Sequence, residues 1–186
     1  MLVFVFGGSG SGKSEYGEAR VLAAGRMPRY YVATMEPSGA EAKKRIRRHR
    51  QLRQGKGFET VECACRIDKL RLPAGGALLI EDLSNLIANE IWGKGGRGFS
   101  PDLARLACDG IFRLAKEHAL VVVVGNDIHR ACGMLSRETE AFLRLLGEAH
   151  ALLSAQADEV TEVVCGIALP VKGLPGAQEK GAAMRP

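Results

Sequence analysis

No stretch of the chain holds the ~18 consecutive apolar residues that a membrane-spanning helix needs. No basic segment precedes the first apolar run, which passes straight into a glycine-rich loop, so no signal peptide is expected. Cysteine is sparse and unpatterned, with five residues and no C-x-x-C pair. That odd, scattered set gives no disulfide framework and points to reduced thiols in a cytoplasmic protein. Cys63 and Cys65 lie two apart on an expected strand and share a face. A metal site there would need further ligands, and plain thiols are the alternative. Aromatic residues make up only 5% of the chain, and no RNA- or DNA-binding module is recognisable, which argues against a nucleic-acid partner. Internal repeats are also lacking.

What is present suits an ordinary globular protein. The chain has 186 residues, 46% apolar and 25% charged, enough for one domain with a substantial core. That domain is expected to cover residues 1–172, with a flexible Gly-, Ala- and Pro-rich tail over 173–186.

The chain is organised around its first fourteen residues. Residues 2–6, Leu-Val-Phe-Val-Phe, are an unbroken apolar run, the pattern of a strand buried on both faces. Gly7, Gly8, Ser9, Gly10, Ser11, Gly12, Lys13 and Ser14 follow at once and fit G-x-x-x-x-G-K-S at every position. A helical pattern comes next. Glycines let successive backbone N–H groups curl round a phosphate, and the helix N-terminus adds its positive end. Lys13 brings a point charge to the β- and γ-phosphates, and the Ser14 hydroxyl is a ligand for Mg²⁺. A simple Gly/Ser turn between strand and helix is the bland alternative. The match at every position in a strand–loop–helix context favours nucleotide binding.

Further strands are expected at 29–34, 58–63, 77–80, 120–124, 159–165 and 168–171. Ser38 and Glu41 form a capping box that opens a helix over 40–53. Other helices are expected over 83–92, from Ser100-Pro101 to 117, and over 137–155. Apolar strands alternating with helices predict a three-layer α/β fold with a mostly parallel sheet, the P-loop NTPase (RecA-like) arrangement. The run 93–98, Gly-Lys-Gly-Gly-Arg-Gly, reads either as a mobile flap or as a plain linker.

Glu81 and Asp82 end a buried strand, where open α/β sheets bind ligands. Glu81 is the candidate to hold Mg²⁺ with Ser14, and Asp82 to cap the next helix. The net charge of +5 concentrates in residues 43–56, which hold eight Lys/Arg and no acid. Such a run is either a solvated face or an anion-binding surface. His49 sits inside it. Positive neighbours disfavour the imidazolium, so a free lone pair is kept that can attack phosphorus. Alone, a histidine in a basic helix is more often a surface residue. His118 is expected at a helix C-terminus, where a cation is comfortable. His150 is expected to pack against its helix, and His129 to lie in a loop near the site.

Together these stretches resemble a known family. Gly7-Gly8-x-x-Ser11-Gly12-Lys13-Ser14, Tyr31-Val32-Ala33-Thr34 and Arg45-Ile46-x-x-His49-Arg50 occur in that family's order. Thr60-Val61-Glu62, Leu79-Ile80-Glu81 with Asn89, Ala157-Asp158-Glu159-Val160, Gly166-Ile167 and Val171-Lys172 follow. The chain is similar over residues 1–172 to the bifunctional adenosylcobinamide kinase/adenosylcobinamide-phosphate guanylyltransferases of cobalamin biosynthesis. The resemblance implies phosphorylation of adenosylcobinamide by GTP or ATP with Mg²⁺. It then implies transfer of GMP from GTP to that phosphate through a guanylyl-histidine at His49, giving adenosylcobinamide-GDP. It implies nucleotide contacts from the P-loop, Ala33, Thr34, Met35, Arg50, Gln51, Leu52, Arg53, Glu62 and Glu81, and assembly as a homotrimer. The chain departs from the family pattern at Gly10, Phe58, 125–129 and His150. Three other readings stand beside it: a P-loop kinase for another small hydroxyl substrate, a family member with only one of the two activities, and a nucleic-acid-binding NTPase whose 43–56 run grips phosphates.

Overall fold

The computed structural model describes residues 1–36, 47, 54–128 and 135–173. Seven strands build one sheet: β1 (Leu2–Gly7), β2 (Arg29–Ala33), β3 (Phe58–Glu62), β4 (Ala77–Glu81), β5 (Leu120–Asn126), β6 (Glu159–Val164) and β7 (Ile167–Lys172). Their order is β3-β2-β4-β5-β1-β6-β7. All neighbours pair parallel except β6 and β7, which form an antiparallel hairpin. Four α-helices lie among the described residues: α1 (Lys13–Ala23), α2 (Leu83–Trp92), α3 (Leu103–Glu117) and α4 (Arg137–Gln156). The helix expected over 40–53 falls outside the described residues, as do His129 and the tail from 174.

The central strands β1, β4 and β5 read as unbroken apolar runs because both faces are covered. Leu2, Phe4, Leu78, Ile80, Val121 and Val123 point to the side packed by α2, α3 and α4. Val3, Val5, Leu79, Val122 and Val124 point to the other side, where α1 packs. The period of two in the pleat divides one run between two cores. Gly17 brings α1 close: a Cβ there would lie 3.1 Å from Val124 and 3.2 Å from Leu79. His150 of α4 packs edge-on to Phe4, ring centroids 5.1 Å apart, as its helix position suggested.

Three local features differ from, or sharpen, the sequence reading. Residues 67–69, unpatterned in sequence, form a 3-10 turn whose Ile67 is fully buried. His118 does cap α3, but it is buried edge-on to Tyr30 with no hydrogen-bond partner on either ring nitrogen among the described residues. Burial pushes its pKa down, so the expected cation is not favoured there.

The glycine-rich run after α2 is strapped down rather than free. The N–H groups of Arg97 and Gly98 both donate to the Glu90 carbonyl, at 2.6 and 3.0 Å, and Arg66 Nε donates to the Gly95 carbonyl at 3.0 Å. The Arg97 guanidinium bridges Glu90 (2.8 Å) and Asp68 (2.6 Å). Glu90 is fully buried, so its charge depends on these donors. Arg97→Ala leaves that carboxylate without its cation and is expected to cost about 3 kcal/mol, read as a lower urea midpoint. Adding Glu90→Gln should recover part of the loss. Equal midpoints for wild type and Arg97→Ala would show that the bridge contributes no stability.

Candidate active site

The parallel register places the tips of five strands side by side. Ala33 is level with Glu62 on one side and Glu81 on the other. Glu81 is level with Val124, and Gly7 with Asn126. The strand that launches the glycine loop and the strand that ends in Glu81-Asp82 are therefore separated only by β5. The crevice above these carboxyl ends is where open α/β sheets hold ligands.

The loop's shape follows from its glycines. Gly7 has no room for a Cβ, which would strike the Val163 carbonyl and Ser11 Oγ. Gly12 sits at φ 91° and ends the loop in a left-handed turn that only glycine adopts without strain. No side chain caps α1, so its first N–H groups remain directed at the loop. The hairpin between β6 and β7 supports the loop from behind: the N–H of Gly166 donates to the Ser11 carbonyl at 2.8 Å. That two-residue turn has Cys165 at φ 48° and Gly166 at φ 82°, the twist tight hairpins prefer. Sequence reasoning gave this hairpin no part in the site.

Lys13 is buried, and its Nζ donates to the Gly8 carbonyl at 3.0 Å. Burial holds its ammonium below the usual lysine range, opposed by the Asp82 and Glu81 carboxylates across the crevice. Ser14 Oγ donates to Glu81 Oε1 at 2.6 Å, so a hydroxyl and a carboxylate from different elements meet. These are hard oxygen donors, the kind Mg²⁺ takes alongside phosphate oxygens.

The two acids at the end of β4 divide their work. The Asp82 carboxylate caps α2, accepting from Asn85 N at 2.7 Å, and Asn126 Nδ2 at the tip of β5 donates to it at 3.0 Å. Burial pushes its pKa up, against these hydrogen bonds and Lys13, with Glu81 adding to the rise. The peptide between Glu81 and Asp82 is cis. Thr34 is fully buried, accepts from Asp82 N at 2.6 Å and donates to the Asp82 carbonyl at 2.9 Å. Asn89 Nδ2 adds a bond to the Thr34 carbonyl at 2.7 Å. Thr34 thus ties two strand tips together.

Of the residues singled out in sequence, the structure gathers Gly7 to Ser14, Ala33, Thr34, Met35, Glu62 and Glu81 along one edge of the sheet. His49, Arg50, Gln51, Leu52 and Arg53 lie outside the described residues. Asn85 and Asn126 escaped sequence reasoning. The one available signal for Asn126 was a polar residue closing a fully apolar strand.

Comparison with known proteins agrees with this geometry. The family described as cobinamide kinase / cobinamide phosphate guanyltransferase matches residues 3–171. The chain is 30% identical to the bifunctional adenosylcobalamin biosynthesis protein CobU of Salmonella typhimurium, over 92% of this chain and all of that one. It is 27% identical to the protein of the same name from Escherichia coli, with the same coverage. Among solved structures, it superposes on an ATPase of a bacterial type III secretion system with a TM-score of 0.50. That likeness, at 11% identity over 91% of this chain and 56% of the other, shows the P-loop NTPase fold alone. With a glycine loop, a facing carboxylate and a family pattern running almost end to end, the chain belongs to the cobinamide kinase / cobinamide phosphate guanyltransferase family.

Proposed function

We propose that this protein carries out both reactions its family name describes. It would phosphorylate the hydroxyl of cobinamide's aminopropanol arm with a nucleoside triphosphate, then transfer GMP from GTP to the new phosphate. Family membership over residues 3–171 carries this reading, and the Ser14–Glu81 contact at 2.6 Å supports its nucleotide chemistry.

In the first reaction, the loop N–H groups and Lys13 hold the β- and γ-phosphates while the substrate hydroxyl attacks the γ-phosphorus. A new O–P bond forms as the bond to the β-phosphate oxygen breaks. Ser14 and Glu81 are the residues to hold Mg²⁺, which when bound offsets charge on those oxygens. Asp82, tied to Asn85 and Asn126, keeps the end of β4 and the start of α2 in register beside the loop. In the second reaction the His49 imidazole attacks the α-phosphorus of GTP and pyrophosphate leaves. The cobinamide phosphate oxygen then displaces the histidine, giving cobinamide-GDP and free enzyme. Glu62, Ala33, Met35 and residues 50–53 fit the role of contacts to the guanine nucleotide. No helix among the described residues is long and apolar enough to cross a membrane.

The test is product analysis with cobinamide, GTP, ATP and Mg²⁺ together. Cobinamide phosphate should appear first and cobinamide-GDP later, with pyrophosphate beyond one equivalent per enzyme released only in the second phase. Nucleotide hydrolysis beside an unchanged corrinoid would favour a kinase for a different hydroxyl substrate.

A further inference from the structure

The nucleotide crevice accounts for the phosphates but not for a bulky, largely apolar acceptor. On the face formed by α2, α3 and α4, two aromatic side chains stand out: Trp92 is 55% exposed and Phe99 47%. They meet edge-to-face with centroids 5.7 Å apart, and Trp92 also leans on Phe142 at 5.4 Å. A groove of about 330 Å³ continues from Phe99 between the start of α3 and the outer side of α4. Pro101, Ala141 and Leu145 form its apolar walls, and Ser100, Arg144 and Glu148 supply polar groups. We propose that this aromatic ledge and groove dock the corrin macrocycle of the acceptor; the proposal rests on the reading above that cobinamide is the substrate.

Three observations favour that occupant. The first is position. α2 begins at the Asp82 cap beside Glu81 and ends at Trp92, so the ledge stands about 15 Å along one helix from the phosphate site. A ring seated there can extend an aminopropanol arm toward the loop. The second is shape and chemistry. The groove is open and mostly apolar with a few polar groups, a mix of lining that small-molecule sites use. A corrin presents a broad apolar face rimmed with primary amides, which need the kind of donors and acceptors that Ser100, Arg144 and Glu148 carry. The third is rigidity. The segment between Trp92 and Phe99 is strapped by the Arg97 bridge and the bonds to the Glu90 carbonyl, so exposed rings are held in place before any ligand arrives. The other exposed apolar stripe, Ile167, Leu169 and Val171, belongs to the edge strand β7 at the far side of the sheet and has no such groove.

The experiment compares the full-length wild type with Phe99→Ser, Trp92→Ser, Trp92→Phe and Val171→Ser. It measures KM for cobinamide and for GTP, cobinamide binding by equilibrium dialysis, melting temperature and mass in solution. Phe99→Ser and Trp92→Ser should each raise KM and Kd for cobinamide about tenfold, leaving KM for GTP and kcat near wild type. Trp92→Phe should retain most of the affinity, and Val171→Ser all of it. Unchanged cobinamide affinity in both serine variants overturns the docking site. A change in solution mass together with loss of GTP affinity overturns it too, by making the ledge a subunit contact. Wild-type protein that neither binds nor phosphorylates cobinamide removes the functional reading itself, an outcome separate from both.

Discussion

Lys13→Ala is expected to lower turnover in both half-reactions by about 10²–10³-fold, with weaker nucleotide binding beside it. Lys13 is a buried cation between the glycine loop and the Glu81 and Asp82 carboxylates. A triphosphate entering this crevice meets two acids, and Lys13 is the described cation placed to balance them. Without it the phosphate oxygens face uncompensated negative charge, in a site where part of the solvent has been removed and charges act strongly. The effect should exceed what a lost surface ion pair would cost, because Lys13 is buried and its Nζ is already held at the loop by the Gly8 carbonyl. Calorimetric GTP titration and steady-state rates for each half-reaction check this side by side. Rates and affinity equal to wild type would remove Lys13 from the mechanism. Lys13→Arg is a useful companion: the planar guanidinium is larger and does not fit as a point charge, so it should rescue little.

Much of the fold was legible because buried parallel strands advertise themselves. The runs that became β1, β4 and β5 carry apolar residues at every position, since α1 covers one face and α2, α3 and α4 the other. The glycine loop and the Asp82 cap were equally local, each set by residues close together in the chain. Features fixed by distant partners were not legible. Ile67 gains its fully buried place because α3 presents Gly110, where a Cβ would lie 2.7 Å from Asp68 N. The glycine run 93–98 looks free in sequence, yet Glu90, Arg66 and Asp68 hold it, the latter two about 30 residues away. His118 followed a helix-end rule that assumes solvent, and the packing of Tyr30 removed the solvent. For the site, the glycine loop and Glu81 were legible as candidates from their local pattern; the brace of Thr34, Asn85 and Asn126 around Asp82 required the strand order.

His49→Ala separates the two activities, because only one of them needs a protein nucleophile. The kinase step moves a phosphoryl group directly to the substrate hydroxyl, and the groups that assist it are the loop, Lys13, Ser14 and Glu81. In the proposed mechanism the guanylyl transfer, by contrast, passes through an N–P bond, so removing the imidazole is expected to lower that activity by about 10³-fold or more. Cobinamide phosphate should therefore accumulate in the variant, with its rate of formation near that of the wild type. The intermediate itself gives the sharper readout. Wild-type protein incubated with GTP and Mg²⁺, without corrinoid, should gain the mass of one guanylyl group, labile to acid and stable to base as a phosphoramidate is. The alanine variant should gain nothing. Adding cobinamide phosphate to the modified wild type should discharge the adduct and yield cobinamide-GDP with no further nucleotide. On the proposed mechanism the basic run 43–56, with eight Lys/Arg and no acid, would balance the triphosphate while the histidine attacks. If His49→Ala transferred GMP at the wild-type rate, or carried the adduct itself, the nucleophile would lie elsewhere. If neither protein formed an adduct but both made cobinamide-GDP, the phosphate of the substrate would be attacking GTP directly, and the basic run would serve binding alone.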